Sequence, residues 1–96
     1  MIVSFGDRAT EDLFHGDATS RTRGFPREPI RIALRKLDML NAAAELGDLR
    51  VPPGNRLEAL KGALKGFHSI RVNDQWRILF RWSERDAHEV RLVDYH

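Results

Sequence analysis

Between Asn55 and Trp82 the chain carries Arg56, Lys61, Lys65, Arg71, Arg77 and Arg81 against only Glu58 and Asp74, and residues 94–96 are Asp94, Tyr95 and His96. Six cations and two carboxylates give this stretch a local net of +4, while the whole chain sums to +2. These residue types suit work on a phosphodiester. In RNA cleavage by internal attack, the 2′-hydroxyl displaces the 5′-oxygen at phosphorus. One proton must leave the 2′-hydroxyl, the phosphorane charge must be neutralised, and the 5′-oxygen must gain a proton. Histidine titrates near neutrality and suits both proton transfers. Arginine offers a planar fork that matches phosphate oxygens. Arg77, Lys61 and His96 are the types this chemistry needs. It requires no metal. The four histidines are scattered without ligand spacing and there is no cysteine, so neither a metal site nor a cofactor is expected.

The elements that must position these groups are strands. In Gln75 to Trp82, the residues Trp76, Ile78, Phe80 and Trp82 fall on one side, and Arg77, Leu79 and Arg81 on the other. In the preceding segment His68, Ile70 and Val72 share one side, which makes His68 structural, while Ser69, Arg71 and Asn73 share the other. The pattern predicts a sheet with one face packed on helices and the other wet, cationic and concave. The alternative is a merely solvated face, since arginine on a strand is a weak signal by itself. Arg77 between Trp76 and Ile78 argues for the functional reading, because it faces away from the apolar row. Tyr95 shares parity with Arg91 and is expected either to stack on an unpaired base or to pack on the sheet.

Upstream, Met1 to Phe5 reads as a short strand. Asp7 caps a brief helix through Leu13 and Phe14, which Gly16 ends. Asp17 to Arg27 is rich in turn formers and cations, either a mobile loop or an arm that orders on a partner. Ile30, Ala33, Leu34, Leu37, Leu40 and Ala44 recur at helical spacing and predict a helix from Pro29 to Leu46, closed by Gly47. Arg31, Arg35 and Lys36 lie off that stripe and read as a solvated face. Val51-Pro52-Pro53-Gly54 turns the chain into the sheet, Ser83 to Ala87 is a polar turn, and a last strand runs from about His88 to Tyr95. The layout is α+β: an antiparallel meander with two helices from the N-terminal half on one face.

Ninety-six residues make one domain, 1–96, with room for one sheet and two or three helices. No apolar run reaches the length needed to span a bilayer, and no signal-peptide pattern is present, so a cytoplasmic protein with no membrane partner is expected. A sequence pI near 9.5 favours an anionic partner, which could be nucleic acid or an acidic protein.

An ordered set of motifs adds to this reading. Arg56-Leu57-Glu58, Leu60-Lys61-Gly62, Ser69-Ile70-Arg71-Val72, Gln75 through Trp82 and the final Asp94-Tyr95-His96 together resemble the HigB branch of the RelE/ParE toxins, over nearly the whole chain. Met1 to Phe5 and Pro52-Pro53-Gly54-Asn55 look similar to the same branch. The resemblance implies a RelE/ParE-like fold and a toxin of a type II toxin–antitoxin system, a ribosome-dependent mRNA endoribonuclease that arrests growth. It implies a HigA-like helix-turn-helix antitoxin as partner, with operator DNA touched only through that antitoxin. Carried over by position, it implies Asp94, Tyr95, His96, Lys61 and Arg77 as the cleavage residues, and Glu58 where one branch has histidine. Glu58 is then either the general base or an orienting carboxylate. An Asp that often follows the Leu-Lys-Gly motif is Ala63 here. Arg56, Lys65, Arg71 and Arg81 are the expected RNA-binding cations. Two other readings differ in class: a non-enzymatic ParE-like inhibitor of DNA gyrase, and a nucleic-acid-binding module without catalysis.

Overall fold

The computed structural model describes residues 1–95; His96 lies outside the described residues. Two helices, α1 (Arg8–His15) and α2 (Arg27–Ala42), precede four strands, β1 (Glu58–Ala59), β2 (His68–Arg71), β3 (Trp76–Ser83) and β4 (Asp86–Asp94). The strands form one antiparallel sheet in sequential order, β1-β2-β3-β4, the predicted α+β meander. The alternation of β3 holds: Ile78 and Phe80 are fully buried, with Trp76 and Trp82 packed beside them. They meet Ile70 of β2 and Val72 just after it, Val90 and Leu92 of β4, and the helix residues Leu13, Ala33, Leu37 and Leu40 in one core.

The helices start and stop for local reasons. Asp7 Oδ1 accepts from the Thr10 amide at 2.8 Å, and Gly16, at φ 77°, closes α1. Buried Thr10 in turn accepts from the Leu92 amide at 2.9 Å, pinning α1 to β4. The α2 helix begins at Arg27, two residues before the expected Pro29. Pro29 still falls in the first turn, where a backbone N–H has no intrahelical partner to lose. It ends at Ala42 and not at Leu46, because Asp48 Oδ2 accepts from the amides of Ala44 and Glu45, both at 3.0 Å, and starts a 3-10 turn, Leu46–Arg50.

Four further expectations need correction. Met1 to Phe5 makes isolated parallel bridges to β4, Ile2 to Ala87 and Phe5 to Val90, and is not a full strand. The last strand starts at Asp86, because Glu84 and Arg85, both at positive φ, make a two-residue turn after β3. Lys36 is buried, its ammonium hydrogen-bonded to Asn55 Oδ1, and so leaves the solvated face assigned to it with Arg31 and Arg35. Burial, then repulsion from Arg35 and Arg71, pushes the Lys36 pKa below that of an ordinary lysine. The outer sheet face, finally, is not uniformly wet: Leu60, Phe67 and Leu79 form a second small core there, with Leu64 and Val93 against it.

The 17–27 segment is tied to α1 through one carboxylate. Asp12 Oδ2 accepts from Thr19 Oγ1 at 2.8 Å and from Arg21 Nε at 2.8 Å. The Thr19 hydrogen bond and then Arg21 hold Asp12 below the usual carboxylate range. Phe25 then meets Trp76 edge-on, with ring centroids 5.7 Å apart.

Candidate active site

The outer face of the sheet converges on Arg77. Its side chain is only 15 % exposed, so its guanidinium is seated in the surface and does not wave above it. Nη1 donates to Ser69 Oγ at 2.9 Å, Nη2 lies 3.6 Å from Glu58 Oε1, and the guanidinium carbon is 5.5 Å from the centre of the Tyr95 ring. Register explains the meeting. Glu58 pairs with Ser69 across β1 and β2, and Ser69 lies diagonal to Arg77 across β2 and β3. Tyr95 is brought in by the turn before β3. Asn73 Oδ1 accepts from the amides of Gln75 (2.9 Å) and Trp76 (2.7 Å), an Asx-type turn. The Gln75 carbonyl then accepts from the Tyr95 amide at 2.7 Å.

Arg77 sits directly opposite Arg71 in the ladder, a like-charge pair that costs stability unless each has a counter-ion. Glu58 serves Arg77, and Asp74 takes the Arg71 guanidinium. Ser69 was missing from the sequence-derived site. It is fully buried, and its parity with Arg71 was the available signal that it lies on the working face.

The other predicted residues are placed differently. Asp94 is paired with Trp76 in the β3–β4 ladder, which puts it on the opposite face of the sheet from Arg77 and Tyr95. Its Oδ2 accepts from Gln75 Nε2 at 2.9 Å, at the base of the turn that holds Tyr95. Arg56 (φ 45°), Lys61 and Lys65 are exposed on the loops either side of β1, outside the Arg77 cluster among the described contacts. Arg81 pairs with Glu89, Nε to Oε2 at 2.8 Å, and lies over Phe67. His68 stacks on Phe80 in the main core, the structural role its parity predicts. A depression of about 370 Å³ lined by Arg27, Glu28, Arg31 and Ile32 shares no residue with the Arg77 cluster and carries none of its chemistry. Among the described residues no three His, Asp or Glu side chains converge as metal ligands, and no helix is long and apolar enough to cross a membrane.

The arrangement can do two things chemically. A cation fixed at two nitrogens, one against a buried hydroxyl and one against an exposed carboxylate, can exchange the carboxylate for a phosphate oxygen. The displaced carboxylate then stands beside the bound phosphate, where a proton acceptor is useful.

Both the fold and the sequence have known counterparts. In fold, the chain is similar to YoeB in a YoeB–YefM complex from Staphylococcus aureus (TM-score 0.61, 16 % identity, covering 100 % of this chain and 98 % of that one). It is similar also to a YafQ mutant from E. coli (TM-score 0.59, 13 % identity, covering 98 % and 93 %). In sequence it is 45 % identical over 82 residues to Toxin HigB-1 of Vibrio cholerae serotype O1, covering 85 % of this chain and 84 % of that protein. It is 33 % identical over 96 residues to Endoribonuclease HigB of Proteus vulgaris, covering 100 % of both. Residues 3–96 match the family described as the RelE-like toxin of type II toxin–antitoxin system HigB. The chain belongs to the HigB-like toxin family, RelE-like toxins that work opposite an antitoxin partner.

Proposed function

We infer that this toxin is an endoribonuclease that cuts mRNA on the ribosome, uses its own side chains for the chemistry, and is neutralised in the cytoplasm by a HigA-like helix-turn-helix antitoxin. The observation that carries the reading is the seating of Arg77, with one nitrogen on buried Ser69 and the other on Glu58. The full-length relative named as an endoribonuclease supports the same activity.

In this mechanism a phosphate oxygen takes the place of Glu58 on Arg77 Nη2, and Lys61 supplies a second cation from its exposed loop. Glu58, now beside the phosphate, takes the proton of the attacking 2′-hydroxyl. The 2′-oxygen–phosphorus bond forms, the bond to the 5′-oxygen breaks, and His96 gives that oxygen its proton. Tyr95 packs against Arg77 and offers its free edge to a base. Asp94 acts from the far face of the sheet, holding the turn that positions Tyr95. The products are a 2′,3′-cyclic phosphate and a 5′-hydroxyl end. Arg56, Lys65 and Arg71 flank this site as backbone contacts for the RNA.

The test is brief expression without antitoxin, followed by mapping of transcript 5′ ends. Cut messages bearing 5′-hydroxyls are expected from the wild type and none from Arg77→Ala. Growth arrest with intact messages would defeat the nuclease reading.

A further inference from the structure

The second small core of the outer face is covered in part by a cation that the Arg77 chemistry does not use. The guanidinium carbon of Arg81 lies 4.2 Å from the centre of the Phe67 ring, and that of Arg91 lies 5.7 Å from it. Phe67 is itself buried, so Arg81 forms part of its cover. The Arg81 plane is held at its edge by Glu89, Nε to Oε2 at 2.8 Å. Beneath it the backbone of Gly66 comes so close that a Cβ there would lie 2.6 Å from Arg81 Nη1. A side chain at residue 66, already at φ 96°, would require the end of the Arg81 guanidinium to shift. Glu89 reaches this position because β4 carries a bulge. The register shifts between Leu79 and Arg81, which pairs with His88, and Glu89 takes φ 53°. Despite these anchors the Arg81 side chain remains 43 % exposed, against 15 % for Arg77. The guanidinium lies over an aromatic ring while much of the side chain stays open.

We propose that Arg81, held over Phe67 with Glu89 on its Nε and room left by Gly66, is a stacking platform for an unpaired nucleobase. A guanidinium plane stacks on bases much as an aromatic ring does, and backing by Phe67 removes most of the freedom it would lose on binding. Arg91, also within reach of the same ring, adds positive potential for the neighbouring phosphate. Arg77 and Arg81 are four residues apart on one strand face, about 13 Å, so the platform lies beyond the scissile phosphate and along the strand from it. The inference rests on the reading of this chain as an RNA-cutting toxin. The base belongs either to the message or to ribosomal RNA.

Arg81→Lys keeps the charge and can keep the Glu89 contact, but it has no plane. Binding is first read in the Arg77→Ala background, which does not depend on cleavage, with a short single-stranded RNA carrying 2-aminopurine. Quenching on binding is expected for Arg77→Ala, and about 10-fold weaker binding with loss of quenching for the Arg77→Ala, Arg81→Lys double variant. Equal quenching in the two proteins, or none in either, overturns the platform even if the wild type cuts mRNA normally. Cleavage-site mapping and ribosome co-sedimentation of Arg81→Lys then identify the source. A shift in base preference at a fixed distance from the cut assigns the base to the message. A uniform loss of cleavage with weaker co-sedimentation assigns it to the ribosome. Wild-type behaviour in both, with loss only in Arg81→Ala, reduces Arg81 to a point charge and overturns the proposal.

Discussion

Ser69→Ala removes one atom from a fully buried site and isolates the question of what seats Arg77. The Ser69 hydroxyl accepts from Arg77 Nη1 at 2.9 Å, an ordinary distance for a hydrogen bond from a charged donor. Such bonds contribute about 1.5–3 kcal/mol. If the whole of that is used to hold the guanidinium where the phosphorane charge develops, its loss corresponds to roughly 10- to 100-fold in rate. The fold should hardly notice, since alanine keeps the strand and leaves a gap smaller than a methyl group. The assay is single-turnover cleavage of a translated message, with kcat and KM separated, for Ser69→Ala, Arg77→Ala and the double variant. We expect the loss in kcat, with thermal unfolding near wild type. We also expect that adding Ser69→Ala to Arg77→Ala has no further effect, because the serine acts only through the arginine. An equal loss in both backgrounds, or a loss entirely in KM, would refute the positioning role.

Glu58→Gln should reduce cleavage by roughly 100-fold or more if Glu58 takes the 2′-hydroxyl proton; near-wild-type rates would leave it only an orienting role. Asn55→Ala should destabilise more than Lys36→Met in urea unfolding. The first strands a buried ammonium and also frees the Leu49 carbonyl, which Asn55 Nδ2 meets at 3.1 Å, whereas the second orphans a single amide oxygen at about 1–3 kcal/mol. The ordering of the 17–27 segment should depend on acid. Asp12 titrates below its usual 3.8 in the folded chain, so its contribution is complete above that pH and is lost as pH falls through the lower folded value. Amide exchange at Thr19 to Phe25 should therefore quicken below about pH 3.8, and Asp12→Asn should show the fast rates at neutral pH.

The sheet was legible because period-two alternation in β3 is unambiguous: Trp76, Ile78, Phe80 and Trp82 can only share one face, and that face became the core. Arg77 followed from the same parity. Three features were hidden for physical reasons. Lys36 sits beside Leu37 on α2, and nothing in helical spacing says that an ammonium will find Asn55, nineteen residues on, inside the protein. Asp94 entered the expected site through the resemblance of the final Asp94-Tyr95-His96, and its pairing with Trp76 puts it on the face of the sheet opposite Arg77. The bulge at Glu89 was likewise invisible, since no glycine marks it, and it decides which carboxylate Arg81 meets.

The N-terminal segment pairs with the far end of the chain, and this bears on how the toxin comes into being. The Glu89 amide donates to Ser4 Oγ across 85 residues of sequence, and Leu92 to Thr10 Oγ1 across 82. During synthesis Ile2 and Phe5 emerge first but must wait for Ala87 and Val90 before they can dock. At about 5–20 residues per second that interval is roughly 4–17 seconds. The β3–β4 hairpin that seats Arg77 and Tyr95 forms late in the same interval. A ribosome making this protein therefore holds a fragment without its working face until β4 has been made, and that face assembles only with it.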